Sequence, residues 1–321
     1  MSELLKSIDA RTKLAGTNKL EILLFTLGHD ANTGRRETFG INVFKVREVM
    51  RTPPITAAPD MPAAVEGMVS LRGALVPVVD LAKYAGVQTD TPRDIMIVTE
   101  YNGHTQGFLV EAVDTILRLD WSMMRVPPEM LLAQMGGLVT AVTELDDGRL
   151  VMMMDVEKVL AETSKYDDDL VFRSIPQINK PGCTVFFADD SVVARKQIER
   201  TLDAMGVKYV GSMNGRQAWD ELEKMASYAA SIGKPVSDYV NLVLTDIEMP
   251  EMDGYILTKK IKSDPRFANI PVIMHSSLSG MSNQKLGLSV GVDEYVPKFE
   301  PQKLSETLSR RLGAVPATAA A

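Results

Sequence analysis

The sequence predicts a multidomain protein in which an all-β N-terminal half precedes an α/β C-terminal half. Between residues 20 and 160, short apolar stretches are separated by Gly, Pro and Asp turns, a pattern typical of small barrels or a sandwich. After residue 180, apolar strands alternate with helical patterns, which predicts a doubly wound sheet of five parallel strands. The 321 residues suffice for two domains of ordinary size.

The domain boundaries follow from the same patterns. We expect an N-terminal domain at residues 1–165, a linker at 166–180, a second domain at 181–313 and a disordered tail at 314–321. The linker prediction rests on an acidic run, two prolines and the absence of hydrophobic periodicity.

Composition favours a cytoplasmic protein that does not bind nucleic acid. The net charge is -7 and neither half has a basic surplus, so nonspecific attraction to nucleic acid or anionic lipid is not expected. The N-terminal segment is too polar for a signal peptide, and no apolar run approaches the length of a membrane span. The single cysteine, Cys183, excludes a disulfide framework and fits a reducing compartment.

The first half begins with a predicted strand at residues 19–27, followed by a polar hairpin loop. Residues 39–49 begin as a strand and end in a short helical turn, and the Pro-rich stretch 52–62 must be an edge or a loop. The remaining β-like stretches are residues 66–81, 93–100, 105–117, 137–145 and 149–160.

An internal echo suggests that this half contains two similar units. LVPVVDLAK at residues 75–83 and LVMMMDVEK at 150–158 are each an apolar strand ending in an Asp that is able to cap the following helix. A weaker echo pairs VREV at 46–49 with VEAV at 110–113. Chance similarity between β-rich segments is the alternative, but the repeat fits two similar small barrels in one domain.

A search for catalytic motifs in the first half is negative. His29 and His104 lie in loop-like stretches without nearby metal-ligand spacing. The half has no Gly-rich phosphate loop, no G-x-S-x-G and no paired carboxylates on one helix face. These observations favour a binding module.

The second half alternates strands and helices. The predicted strands are residues 183–188, 207–211, 241–245, 271–275 and 293–296. The predicted helices are residues 191–205, 214–232, 253–263, 279–290 and 301–312.

Charged and hydroxyl side chains follow four of these strands. Asp189 and Asp190 end the first, Asp246 the third, Ser276 the fourth, and Lys298 the fifth. Because the carboxyl ends of parallel strands meet at one edge of the sheet, we expect these groups to converge there. Singly, each has an ordinary alternative: a helix cap, a loop serine or a solvated lysine.

Converging carboxylates repel one another, and a hard divalent cation relieves the repulsion; Mg²⁺ suits a site of a few carboxylates plus phosphate. A carboxylate beside Mg²⁺ is able to attack phosphorus and form an acyl phosphate. Asp246 is the best candidate nucleophile, because Asp189 and Asp190 look like the metal pair. Ser276 and Lys298 are placed to contact phosphoryl oxygens.

From about residue 181 to residue 312 the chain resembles a response-regulator receiver domain: DD follows the first strand, D-x-x-M-P-x-M-D-G the third, Ser the fourth and Lys the fifth. The resemblance implies a flavodoxin-like sheet of strand order 2-1-3-4-5 and bound Mg²⁺. The roles it implies are phosphoacceptor and metal ligand for Asp246, metal carboxylates for Asp189 and Asp190, a backbone-carbonyl ligand for Glu248, switch hydroxyl for Ser276, switch aromatic for Tyr295 and phosphate partner for Lys298.

One departure from the receiver pattern concerns the residues around the lysine. The family usually has Pro directly after it, whereas here Pro297 precedes Lys298 and Phe299 follows. The departure puts the cis peptide bond expected at that place in question.

Residues 15–165 resemble the CheW-type coupling domain of bacterial chemotaxis. The core pattern G-x-x-x-L-R-G-x-x-x-P-x-x-D-L is met by Gly67, Leu71, Arg72, Gly73, Pro77, Asp80 and Leu81. The resemblance implies two intertwined five-stranded barrels that bridge chemoreceptors and the chemotaxis histidine kinase. It also implies an exposed partner-binding role for Arg72, whose structural alternative is a turn arginine that caps carbonyls.

Joined in this order, the halves resemble the CheV-type chemotaxis coupling proteins. The resemblance implies an adaptor or phosphate sink at chemoreceptor arrays, with self-phosphorylation as its only chemistry. Two alternatives remain: a response regulator whose first half is an output enzyme or DNA binder, and a constitutive scaffold with an inactive receiver.

Overall fold

The computed structural model describes residues 19–57, 59–101, 104–163, 168–178, 182–277 and 287–313. Its contacts divide the chain into two compact units, one of which is Leu20–Lys165 and the other of which contains Tyr166–Ala321. We call the first the β domain and the second the α/β domain. Within the described ranges, no helix is both long and apolar enough to cross a membrane.

The β domain contains two five-stranded sheets. The first sheet consists of β1 (Lys19–Thr26), β2 (Thr38–Asn42), β8 (Ala112–Asp120), β9 (Val139–Glu144) and β10 (Leu150–Met154), in the order β8-β1-β2-β10-β9. The second consists of β3 (Val46–Arg51), β4 (Val65–Leu71), β5 (Ala74–Asp80), β6 (Ile95–Tyr101) and β7 (His104–Val110), in the order β3-β6-β7-β5-β4. Among the described residues of this domain, three α-helices accompany the sheets: α1 (Leu81–Ala85), α2 (Glu129–Gln134) and α3 (Val156–Thr163).

The two sheets have the same architecture and are intertwined along the chain. The strands of the second sheet are consecutive, whereas the first sheet takes β1 and β2 from before this block and β8 to β10 from after it. Strand β5 pairs with β4 antiparallel and β7 parallel, and β10 pairs with β9 antiparallel and β2 parallel. The internal echo is therefore a structural repeat, because its two strong members occupy equivalent positions.

The aspartate of each strong echo caps a helix, as predicted. Asp80 accepts a hydrogen bond from the amide of Lys83 at 3.1 Å, and Asp155 accepts one from the amide of Lys158 at 3.0 Å. Apolar residues of α1 and α3 lie in a single core cluster that also contains residues of both sheets, including Phe39 on β2. The intertwined halves thus share this cluster, and each sheet also has a core cluster of its own.

Each sheet curls until its edge strands approach. The Arg72 guanidinium, in the β4–β5 hairpin, lies 3.0 Å from Glu48 on β3, the opposite edge strand. In the first sheet, Arg149 in the β9–β10 hairpin lies 3.4 Å from Asp114 on β8. Such exposed ion pairs stabilise little, but their positions agree with the predicted small barrels.

Two strand predictions for this domain need correction. A 3-10 turn at Val43–Lys45 lies inside the stretch 39–49, and the chain continues beyond it as β3 rather than ending there. The stretch 105–117 is divided between β7 and β8, which belong to different sheets. A continuous β pattern in sequence does not reveal that the chain changes sheets.

The α/β domain has the predicted parallel sheet. Its strands are β11 (Thr184–Ala188), β12 (Lys208–Ser212), β13 (Leu242–Thr245), β14 (Val272–Ser276) and β15 (Glu294–Pro297), in the order β12-β11-β13-β14-β15. This is the predicted order 2-1-3-4-5. The helices with assigned bounds are α5 (Val192–Met205), α6 (Gly215–Ser231), α7 (Gly254–Ser263) and α8 (Pro301–Arg311), and core clusters cover both sheet faces.

Two predicted segments fall partly or wholly outside the described residues. Of the predicted helix 279–290, residues 287–290 are described and are helical. The predicted tail at 314–321 lies outside the described residues.

The segment 166–180, predicted as an aperiodic linker, contains a packed helix. Helix α4 (Asp168–Arg173) is followed by a short stretch, and Phe172, Ile175 and Ile178 are buried in the core cluster of the α/β domain. The Arg200 guanidinium lies 4.0 Å from the centroid of the Phe172 ring. Three apolar residues at three-residue spacing carry this packing, and the neighbouring acidic and proline residues obscured the pattern.

Phe172→Ala should lower the free energy of unfolding of the α/β domain by about 2–4 kcal/mol, because it removes a buried ring from the core. The measurement is urea denaturation of the full chain followed by Trp219 fluorescence. A Trp121→Phe background leaves Trp219 as the single tryptophan, since the sequence contains 2.

Leu170→Ala is the matched control on the same helix, because Leu170 is 66% exposed. Its unfolding free energy should change by no more than about 0.5 kcal/mol. Equal midpoints for the two variants would contradict the packing described for α4.

Candidate functional site

The predicted site residues that follow strands lie at the carboxyl edge of the parallel sheet. Asp189 follows β11 and Asp246 follows β13, and these strands are neighbours whose last residues, Ala188 and Thr245, are paired. The Asp246 amide donates to the carbonyl of Ala188 at 2.8 Å, which ties the two strand ends together. Lys298 follows β15 at the same edge.

Three carboxylates form a cluster at this edge. One oxygen from each of Asp189, Asp190 and Asp246 lies within 4.8 Å of the others. Asp189 and Asp246 are buried and Asp190 is half-buried. Like charges at this separation repel strongly when water is largely excluded, so the arrangement requires positive charge nearby.

Lys298 provides one positive charge. Its side chain is only 2% exposed, and its Nζ lies 3.0 Å from Asp246 Oδ2 and 3.0 Å from Asp189 Oδ2. One ammonium among three carboxylates leaves a formal charge of about -2, which a divalent cation would neutralise. Clustered carboxylate oxygens are also the ligands that Mg²⁺ prefers, so the residues present fit the predicted metal.

The loop after Asp246 is held close to the strand end. Asp253 caps α7 by accepting from the amide of Ile256 at 2.7 Å. The Gly254 amide donates to the carbonyl of Ile247 at 2.9 Å. A Cβ at Gly254 would overlap the carbonyl oxygen of Asp246, so this position requires glycine. The Asp-Gly pair thus fixes the start of α7 against Asp246.

Arg195 is a site residue that the sequence analysis missed. Its Nη1 donates to the carbonyl of Asp189 at 2.8 Å and to that of Asp190 at 2.9 Å. The guanidinium therefore fixes the backbone of the acidic pair. The available signal was an arginine one turn into the helix that the pair introduces.

The remaining predicted receiver residues lie on strands β14 and β15 or in the loop between Asp246 and α7, which we call the acceptor loop. Ser276 is the buried last residue of β14, and its carbonyl accepts from the amide of Lys298 at 3.2 Å. Tyr295 is half-buried on β15, opposite Met274 in the strand register. Glu248, two residues after Asp246, is buried.

The residues after Lys298 differ from the family pattern in their backbone as well. Phe299 has a φ of 62°, in the left-handed region that residues other than glycine rarely occupy. Within the described residues, no peptide bond is cis.

Arg72 lies at the tip of the β4–β5 hairpin, distant in sequence from the carboxylate site. Its side chain is 70% exposed, and its guanidinium donates to the Glu48 carboxylate at 3.0 Å. The turn has φ of 51° at Arg72 and 84° at Gly73, as a two-residue hairpin turn with positive φ at both positions requires. The alternative role, in which Arg72 caps carbonyls, has no support in its described contacts, which are with Glu48.

Comparison with known proteins gives the class of each domain. Residues 21–164 match the CheW-like domain, and residues 185–309 match the response regulator receiver domain. The solved scaffolding protein TtCheW from Thermoanaerobacter tengcongensis is 27% identical, with a TM-score of 0.38, over 42% of this chain and 88% of its own. The two family matches show that the chain contains a CheW-like domain followed by a receiver domain.

Similarity over nearly the whole length identifies the family. Chemotaxis protein CheV3 of Helicobacter pylori is 30% identical over 280 residues, which cover 85% of this chain and 88% of that protein. Chemotaxis protein CheV1 of the same organism is 27% identical over 331 residues, covering 97% of this chain and 99% of its own. The chain belongs to the CheV family of chemotaxis proteins.

Lys298→Met should destabilise the receiver domain by about 3–5 kcal/mol in metal-free buffer, because it leaves the buried carboxylates uncompensated. Added Mg²⁺ should raise the stability of this variant more than that of the wild type, because the cation takes over the neutralisation. Urea midpoints with and without Mg²⁺, read from Trp219 in the Trp121→Phe background, measure both effects.

Lys303→Met is the control for loss of a lysine, since the Lys303 side chain is 54% exposed and its ion pair with Glu300 is on the surface. Its response to Mg²⁺ should equal that of the wild type. An equal response from Lys298→Met would refute the charge balance described for the cluster.

Proposed function

We propose that the protein is a chemotaxis adaptor that couples chemoreceptors to a histidine kinase and is regulated by phosphorylation of Asp246. The observation that carries the proposal is the union of two features in one chain. A CheW-like domain is joined to a receiver domain in which Asp246 lies 3.0 Å from the Lys298 ammonium and within the carboxylate cluster. An adaptor of this kind would work in association with chemoreceptor arrays.

The proposed chemistry is transfer of a phosphoryl group from a phosphohistidine of the kinase. A carboxylate oxygen of Asp246 attacks phosphorus, the P–N bond breaks with its electron pair leaving on the imidazole, and an aspartyl phosphate forms. Lys298 pairs with a phosphoryl oxygen, and the Ser276 hydroxyl donates to another. Burial of Asp246 limits the access of water to the product.

A magnesium ion would be held by Asp189, Asp190, Asp246 and the backbone carbonyl of Glu248. When bound, it supplies neutralisation of the charge on the transferring group. Arg195 supports this arrangement indirectly, because it fixes the backbone of the acidic pair through two carbonyls.

Phosphorylation would act on the coupling domain through a change in the receiver surface. The new charge of roughly -1.5 to -2 pairs with the Lys298 ammonium, which already lies beside Asp246. It draws in the Ser276 hydroxyl, and the Tyr295 ring follows. This shifts the population of the face that contains β14 and β15. The protein then serves as a switchable coupler and a phosphate sink, with no chemistry beyond its own phosphorylation and dephosphorylation.

The proposed division of labour assigns coupling to residues 1–165 and regulation to 181–313. The burial of Phe172, Ile175 and Ile178 in the receiver core supports extending the regulatory unit back to α4. Residues 166–180 are thus proposed to act in part as receiver structure.

Arg72 is proposed as a partner-binding residue because its local structure does not explain it. A two-residue hairpin turn of this type favours Asn at its first position, and an arginine in the left-handed region costs roughly 1 kcal/mol. Its exposed pair with Glu48 returns little stability. A residue that costs local stability while leaving its guanidinium exposed is well suited to contact a partner.

Asp246→Asn should abolish phosphotransfer from the labelled, phosphorylated chemotaxis kinase in the presence of Mg²⁺, because the amide is not a nucleophile. The control Asp220→Asn removes an exposed acid from α6 and should accept label like the wild type. Label on neither the wild type nor the control would instead favour a constitutive scaffold with an inactive receiver.

Arg72→Asn should weaken co-sedimentation with receptor–kinase arrays at least fivefold, while the β domain unfolds at the same or a higher temperature. Glu48→Gln is the matched control, because it breaks the ion pair and keeps the arginine. Arrays that bind Arg72→Asn normally, or that lose Glu48→Gln to the same extent, would exclude a direct contact by Arg72.

A further inference from the structure

Helix α7, which follows the loop after Asp246, carries a buried phenol, Tyr255, that the proposed phosphotransfer does not use. Tyr255 directly follows Gly254, the residue at which the start of α7 closely approaches the Asp246 carbonyl. Its side chain is only 4% exposed. A buried tyrosine requires a partner for its hydroxyl, and the identity of that partner indicates what it does.

The Tyr255 ring packs in a small cluster that connects the acceptor loop to the strands carrying the switch residues Ser276 and Tyr295. The cluster contains Ile247, which follows the acceptor, and Met274, which precedes the switch hydroxyl by two residues. Tyr295, the proposed switch aromatic, packs against the same cluster. A single apolar group thus lies between Asp246 and the element that is expected to move.

The hydroxyls of the two tyrosines are hydrogen-bonded to each other. Burial raises the pKa of Tyr255, and its bond to Tyr295 raises it further. The pKa of Tyr295 is also raised by burial, but it is lowered in part by the bond to Tyr255 and by the backbone of Gly287. Each phenol thus has its hydrogen-bond partner within the same cluster.

The backbone around Gly287 fits the same position of the Tyr295 hydroxyl. A Cβ at Gly287 would overlap the Tyr295 hydroxyl oxygen, so the phenol occupies space that only glycine leaves free. The Tyr295 hydroxyl is therefore held on two sides, by the Tyr255 hydroxyl and by the main chain of Gly287.

We infer that Tyr255 is a positioning residue that holds the switch aromatic Tyr295 beside Gly287, in a position that phosphorylation displaces, and so sets how readily the receiver responds to phosphorylation. The inference rests on the proposed function of Asp246. Moving the Tyr295 ring breaks its hydrogen bond to Tyr255. Part of the free energy of interaction with the phosphoryl group must offset this loss, which lowers the apparent affinity of the receiver for that group. Removing the Tyr255 hydroxyl lowers this cost and shifts the free receiver toward its responsive state.

The test is Tyr255→Phe in the full chain, with beryllium trifluoride and Mg²⁺ as the phosphoryl mimic. Isothermal titration calorimetry should give an affinity roughly two- to tenfold higher than that of the wild type, which corresponds to one lost hydrogen bond. Tyr239→Phe, which alters a half-buried phenol outside the cluster, should leave the affinity unchanged.

A double-mutant cycle separates positioning from a general structural effect. In a Tyr295→Phe background the partner oxygen is gone, so Tyr255→Phe should no longer change the affinity. An unchanged or weaker affinity for Tyr255→Phe alone, or an increase that persists in the Tyr295→Phe background, would overturn the inference. Wild-type protein that does not bind the mimic would refute the proposed phosphoacceptor, and with it this inference.

Discussion

The buried Lys298 ammonium is the contact on which the receiver site depends. It lies 3.0 Å from carboxylates that follow two different strands, β11 and β13. Strand β15, which carries the lysine, is separated from β13 by β14, a distance of about 10 Å between strand axes. The residue that follows β15 needs a long side chain with a terminal charge to cross that distance. The strand order therefore favours lysine at position 298.

The acceptor loop connects this charged site to the switch residues by direct packing. Gly254 brings the first turn of α7 against the Asp246 carbonyl, and Asp253 caps the same turn. The next residue, Tyr255, reaches the cluster that contains Met274 and contacts Tyr295. Few degrees of freedom separate the acceptor from the switch, because a rigid helix start lies between them.

The sequence allowed the site to be predicted where chemistry coincides with strand ends. Asp189, Asp246 and Lys298 follow apolar strands, and parallel strands end at a common edge, so their convergence follows from topology alone. The strand order was predicted through the resemblance to receiver domains, and the two barrels through the resemblance to the CheW-type domain, with which the repeat of LVPVVDLAK as LVMMMDVEK agrees.

What could not be predicted depends on contacts between distant residues. The carbonyl contacts of Arg195 depend on how α5 leaves the strand, and the packing of α4 depends on the receiver core that receives Phe172. The unusual position of Arg72 could not be predicted either, because the left-handed conformation that disfavours arginine in this turn is visible only in the backbone. The change of sheet near Glu111 is marked only weakly in the sequence, by VEAV at residues 110–113, whose counterpart VREV lies at the start of β3.

The intertwining of the two barrels has a consequence for synthesis on the ribosome. Strands β1 and β2 emerge before the other strands of the β domain, yet their outer neighbours β8 and β10 begin only at Ala112 and Leu150. The second barrel consists of consecutive strands and is complete as a sequence once β7 has emerged. The nascent chain must therefore keep an open hairpin edge from aggregating while the enclosed barrel is made. Strands β1 and β2 are therefore among the last strands of this domain to obtain all of their partners.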